Sequence, residues 1–253
     1  MQKYWVPALE RANAILALLA AEPSDLRLID LSNRLGINKS SMYSLLNTME
    51  TLGWVVKGKG DTYSLGPALG SLSAAFFRQF HLLQSFHEEA ASSAKRVGET
   101  IQLAVLNGRH VLYLAKEETA APVRVVSDPG MRFPAHATSL GKALLTQFDY
   151  DSLRELYHDQ EFEAMTPYTV TDLEQLWEQV KQSKINGYAC DLQEAVAGFY
   201  CIAAPVYNHS DRILAAVSFT MMETAWQEKF DLARDEIVDL ARRLSQRAGH
   251  TRT

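Results

Sequence analysis

The sequence predicts an α+β chain in two domains, an amino-terminal winged helix-turn-helix and a larger carboxy-terminal domain with a mainly antiparallel sheet. Three observations predict it. Two helical periodicities are joined by a tight turn at residues 36–38 that contains a glycine, and a hairpin of short strands follows them at once. Beyond residue 81, strand patterns linked by turn residues are segregated from long helical patterns, as in α+β domains. The length of 253 residues, 47% of them hydrophobic, is enough for a small core and a larger one.

From residue 7 to residue 21, Leu9, Ala12, Ile15, Leu16 and Leu19 recur at the helical period, with Pro7 suited to the first turn. A short extended piece around Leu26 leads into a second helix on Leu28, Leu31 and Leu35, ended by Gly36. Asn38 can cap a third helix, whose Met42, Leu45, Leu46, Met49 and Leu52 are expected to form one buried stripe. Its opposite face carries Lys39, Ser40, Ser41, Tyr43, Ser44, Asn47 and Thr48, with no carboxylate before Glu50. Such groups reach phosphates and base edges without like-charge repulsion. Residues 54–57 and 62–65 read as two strands joined by residues 58–61, a wing that presents Lys57 and Lys59. With Arg27 and Lys39 these cations complete the candidate DNA-binding set. A small helical subdomain with a surface hairpin and no ligand is the plain alternative.

Composition narrows the classes. The longest apolar run, residues 14–21, falls far short of the roughly 20 residues that span a bilayer, and no basic signal-peptide region precedes it. A cytoplasmic protein without a membrane segment is expected. Two cysteines, Cys190 and Cys201, make neither a disulfide framework nor a zinc site by themselves. The net charge of -5 excludes a surface coated with cations for bulk nucleic-acid binding, although residues 1–66 are nearly balanced and the acidic excess lies beyond them.

The segment 67–80 is apolar or small at Leu69, Leu72, Ala75, Phe76 and Phe80, too apolar for a free linker. It packs either within the chain or on a second subunit. Residues 81–253 then open with an amphipathic helix bearing Leu83, Phe86, Ala90 and Val97, ended by Gly98. Ile101, Leu103 and Val105 alternate with polar or small residues. Asn107-Gly108 turns the chain into a strand at 111–116, and further strands are expected at 123–126, 202–207 and 213–221. Helices are expected at 139–148, 151–158, 172–186 and 224–247.

Strand alternation sets Ser218 and Thr220 on one face, and Cys201 with Ala203 on one face of the preceding strand. Asp191 stands before a loop, residues 194–198, that feeds that strand. Ser139 and Leu140 lie at a helix start, where free N–H groups favour an anion. Met131 and Phe133 are candidates for an apolar wall. Each also has a structural explanation, since strand hydroxyls bond to backbone, cysteines are often buried, and Ser139 can be a cap.

Residues 28–35, Gly36-Ile37-Asn38-Lys39-Ser40-Ser41, Gly53-Trp54-Val55 and Tyr63-Ser64-Leu65-Gly66 resemble the DNA-binding half of the IclR-type bacterial transcriptional regulators. The resemblance continues through residues 133–145, Gly187-Tyr188-Ala189, Glu194, Gly198 and Cys201-Ile202-Ala203-Ala204-Pro205-Val206. It implies a connecting helix at 67–80 that pairs with a second subunit, and a GAF-like effector-binding domain at 81–253. It also implies contacts to a small organic acid at Ser139, Leu140, Asp191, Cys201, Ser218 and Thr220. The sequence departs from the family at Ser44, where these regulators usually carry an arginine. The expected function is a ligand-responsive repressor on a palindromic operator, a homodimer or a dimer of dimers, sensing a carboxylate-bearing metabolite without a cofactor. Two rivals stand beside it. One is an acyl-transfer enzyme with Cys201 as nucleophile, His136 as base and Asp191 as orienter; the other is a ligand-binding dimer whose winged helix contacts protein. A metal site drawn from Cys190, Cys201, His136 and His209 lacks paired ligand spacing.

Overall fold

A computed structural model describes residues 6–22, 26–78, 81–119, 127–158 and 161–251. The chain divides into two compact units, Met1–Phe80 and His81–Thr253.

In the first unit, helix α1 (Pro7–Ala21) has Pro7 at its start, where the missing N–H has no helical acceptor to lose. Strand β1 (Leu26–Arg27) runs into α2 (Leu28–Leu35), which stops at Gly36 with φ +63, a left-handed conformation open to glycine at little cost. The turn is tied from both sides: the Ile37 N–H donates to the Ser32 carbonyl at 3.1 Å, and the buried Ser32 hydroxyl donates to the Ile37 carbonyl at 2.6 Å. Asn38 then caps α3 (Lys39–Thr51), accepting from the Ser41 N–H at 2.9 Å. Strands β2 (Val55–Lys57) and β3 (Thr62–Leu65) form the wing in an antiparallel sheet of order β1-β3-β2, and α4 (Pro67–Arg78) follows.

Ile15, Leu19, Leu31, Met42, Leu46, Met49 and Val55 fill the core of this unit. The expected stripe on α3 is shorter than the sequence suggested. Leu45 is half-buried, and Leu52 is 51% exposed because it is the C-cap, where the chain turns toward Gly53 and leaves the helical face.

The second unit runs α5 (His81–Val97), β4 (Thr100–Asn107), β5 (His110–Glu117), β6 (Arg132–Pro134), a 3-10 turn (Ala135–Ala137), α6 (Ser139–Leu145), α7 (Tyr150–Leu156), α8 (Leu173–Asn186), β7 (Ala189–Leu192), β8 (Phe199–Tyr207), β9 (Ile213–Met222) and α9 (Glu223–Arg247). The six strands form one sheet of order β6-β5-β4-β9-β8-β7, antiparallel at every pairing. The expected α+β class holds for the chain as a whole. Two short strands, β6 and β7, were not expected; both lie at sheet edges. The strand expected at 123–126 lies outside the described residues.

Both faces of the sheet are covered. Ala104, Ala203 and Ala216 cluster with Leu140, Ala143 and Leu144 of α6, while the alternate positions Leu103, Ile202, Val217 and Phe219 are also fully buried. Helix α9 packs on β8, β9 and α5, and α6 packs on β7, β8, β9 and α8. Small side chains let α6 come close to the strands. Gly141 meets the 3-10 turn so tightly that a Cβ there would lie 2.0 Å from the Ala135 carbonyl oxygen.

Candidate nucleic-acid interface and ligand cavity

The outer face of α3 is open. Lys39, Ser40, Tyr43, Ser44, Asn47 and Thr48 are exposed and Ser41 is half-buried. Several of its hydroxyls are already engaged. Ser40 Oγ donates to Asn38 Oδ1 at 2.9 Å, Ser44 Oγ to the Ser40 carbonyl at 3.1 Å, and Thr48 Oγ1 to the Ser44 carbonyl at 2.9 Å. In the wing, the Lys57 ammonium pairs with Asp61 at 2.7 Å across the turn. That contact raises the Lys57 pKa and lowers that of Asp61, chiefly by the hydrogen bond and then by charge. Lys59 stands exposed at the wing tip. Arg27 is exposed on β1, paired in register with Thr62, and its N–H donates to Asp30 Oδ2 at 2.9 Å.

In the second unit a narrow cavity opens between α6 and one sheet face. Cross-strand register builds its floor in two rows: Asp191 beside Cys201 beside Thr220, and Ser218 beside Gln102. Ser218 and Thr220 hydroxyls each donate to Gln102 Oε1 at 3.1 Å. Gln102 Nε2 in turn donates to Ser127 Oγ at 3.3 Å, and Cys201 Sγ lies 3.4 Å from Thr220 Oγ1. Tyr113, Phe133, Val196 and Phe199 supply apolar wall. Thr138, Ser139 and Leu140 close one end. Thr138, not Ser139, caps α6, accepting from the Gly141 N–H at 3.0 Å. The N–H groups of Ser139 and Leu140, first in the helix, have no acceptor within it.

Charge is handled inside this wall. Lys142, buried on α6, pairs with the buried Glu194 carboxylate through Oε1 and donates to the Cys190 carbonyl at 3.1 Å; among the described residues Glu194 Oε2 has no partner. Asp191 accepts from the Glu194 N–H at 2.6 Å. Burial pushes its pKa up to about 7, against the opposing pull of Lys142 and of that N–H. Burial also raises both thiols, Cys190 to about 12 and Cys201 well above its ordinary value.

Ser139, Leu140, Asp191, Cys201, Ser218, Thr220 and Phe133 all line this cavity. Met131 is a correction. It lines no part of the cavity among the described residues, because its sulfur accepts from the Asp128 N–H at 3.3 Å and its carbonyl from the Tyr113 N–H at 3.0 Å, which hold it on an exposed turn. His136 is turned elsewhere as well. Its Nε2 lies 3.0 Å from the Glu163 carbonyl, and it lines a separate surface cavity with Arg109, His110 and Glu161. The acyl-transfer trio is therefore not assembled, and a thiol held protonated by burial is a poor nucleophile. Among the described residues, no three His, Cys, Asp or Glu side chains gather where a metal could bind. Sequence reasoning missed Gln102, Tyr113, Ser127, Val196 and Phe199.

A winged helix with a bare polar recognition helix, carried on one chain with an α+β domain that encloses a polar-floored cavity, defines a DNA-binding transcriptional regulator with an effector domain. Residues 8–58 match the IclR helix-turn-helix domain, and residues 75–246 match the bacterial transcriptional regulator IclR C-terminal domain. The chain is 29% identical over 97% of its length to the HTH-type transcriptional regulator XynR of Escherichia coli K12, covering 98% of that protein. It is 28% identical over 96% of its length to the HTH-type transcriptional repressor AllR of the same organism, covering 90% of it. Among solved structures, an IclR transcriptional regulator from Alicyclobacillus acidocaldarius superposes with a TM-score of 0.82 at 26% identity, over 97% of this chain and 100% of that one. The protein belongs to the IclR family of transcriptional regulators.

No helix among the described residues is long and apolar enough to cross a membrane.

Proposed function

We propose that the protein is a cytoplasmic repressor that binds a palindromic operator as a dimer or a dimer of dimers and senses a small carboxylate-bearing metabolite. Residues 1–66 read the operator, 67–80 connect, and 81–253 hold the metabolite. Lys39, Ser40, Ser41, Tyr43, Ser44 and Asn47 face the major groove, and Arg27, Lys57 and Lys59 serve the phosphate backbone. Repression is supported by the likeness to AllR, a protein named as a repressor. The metabolite's site is made by Phe133, Ser139, Leu140, Asp191, Cys201, Ser218 and Thr220.

One observation supports the ligand class: Ser139 and Leu140, the first residues of α6, line the same cavity as Ser218 and Thr220. Helix-start N–H groups suit a carboxylate, and the Ser218 and Thr220 hydroxyls, whose protons go to Gln102 Oε1, can accept from a ligand hydroxyl. Asp191, largely protonated below neutral pH, can donate to an anion instead of repelling it.

Calorimetric titration with a panel of small hydroxy- and keto-acids tests this, alongside the matching amides and alcohols. Binding of an acid but not its amide is expected, weakened at least tenfold in Ser218→Val. Equal binding of acid and amide would sink the carboxylate assignment.

A further inference from the structure

On α3, the buried Met42, Leu46 and Met49 define the inner side. At about 100° per residue, the ridge farthest from them runs through Ser40, Ser44, Asn47 and Thr51. Three of these four have committed their only proton inside the protein. Ser40 donates to Asn38 Oδ1, Ser44 to the Ser40 carbonyl, and Thr51 to the Asn47 carbonyl at 2.8 Å. Thr48, beside the ridge, donates to the Ser44 carbonyl. A hydroxyl carries one proton, so these groups meet DNA as acceptors.

Guanine presents two acceptors, N7 and O6, in the major groove, and phosphates present only acceptors. The engaged hydroxyls match neither. With serine at position 44, no arginine fork stands on this ridge to supply the two donors that guanine takes. Lys39, at the first turn, is a point charge suited to phosphate. The Asn47 carboxamide is different. Among the described residues it has no side-chain partner, and it offers one donor and one acceptor side by side. That pair complements adenine N7 and N6, and no other base edge in the groove as well. Tyr43, one turn earlier and 62% exposed, offers an aromatic ring of the kind that packs on a thymine methyl group.

We infer that Asn47, with Tyr43 one turn before it, specifies an A·T base pair in each operator half-site. The inference rests on the reading above that α3 enters the major groove. Ser40, Ser44 and Thr48 shape the helix surface and contribute little base discrimination.

Selection of the full-length protein on a randomised duplex DNA library, followed by affinity measurements on the winners, tests this. Wild type is expected to enrich adenine at a fixed half-site position, with a preference of about tenfold over other bases. Asn47→Ala flattens that position and leaves the others; Asn47→Arg turns it to guanine. Wild type selecting G·C there, or Asn47→Ala keeping the adenine preference, would overturn the inference while leaving operator binding intact. A wild-type protein that enriches no sequence would instead overturn the groove reading beneath it.

Discussion

Lys142 and Glu194 form an ion pair deep inside the second unit, their side chains 1% and 6% exposed. The pair joins α6 to the loop that carries Ala195 and Val196 of the cavity wall. Removing one partner leaves a buried charge without its counterpart, which costs more than the pair itself contributes. Glu194→Ala is expected to lower stability by about 3 to 5 kcal/mol, whereas the double change Lys142→Met, Glu194→Leu costs much less. Urea unfolding of the three proteins decides it; equal losses in the single and double variants would show that the pair is not the cause.

Asp191 makes stability depend on pH in a defined direction. Its folded pKa is raised to about 7, so the folded chain holds a proton that the unfolded chain gives up above about pH 4. The stabilisation is complete below that unfolded value and is lost as pH rises toward 7, by about 4 kcal/mol over the window. Asp191→Asn, which keeps the acceptor for the Glu194 N–H, is expected to flatten this slope. Thermal melts at half-unit steps from pH 4.5 to 8 measure it, and parallel slopes in both proteins would contradict the assignment.

Gly141 stands where α6 meets the 3-10 turn, and an added Cβ would face backbone, which cannot swing aside. Gly141→Ala therefore forces the helix start outward, at an expected cost of about 1 to 3 kcal/mol, and displaces Ser139 and Leu140 from the cavity. A melting temperature equal to wild type would mean that the contact relaxes without cost.

Asn38 holds the start of the recognition helix through the Ser41 N–H. Asn38→Ala should cost about 1 kcal/mol of helix stability. The Ser41 amide should then exchange its hydrogen faster, while amides of the central sheet in the second unit keep their protection. Unchanged exchange at Ser41 would mean that the cap contributes nothing.

Much of this architecture was legible from side-chain period and turn chemistry. Asn38 and Gly36 mark the ends of α3 and α2 because a cap and a positive φ each demand particular residues. The edge strands β6 and β7 escaped because three or four residues give no measurable alternation, and Pro134 ordinarily argues against a strand. Gln102 escaped for a different reason. Beside Ile101 and Leu103 it reads as the solvent face of a half-buried strand, but helices cover both faces of this sheet and leave it 2% exposed. The pairing of Lys142 with Glu194 has no local signature, since charges so far apart in sequence meet only through the packing of α6 on β7.

The coupling between cavity and operator is tested most directly by one titration: full-length protein against fluorescent DNA from upstream of its own gene, with and without the acid that binds the cavity. Saturating acid is expected to change the dissociation constant by about 5- to 150-fold. A dissociation constant that stays the same at saturation would contradict the account.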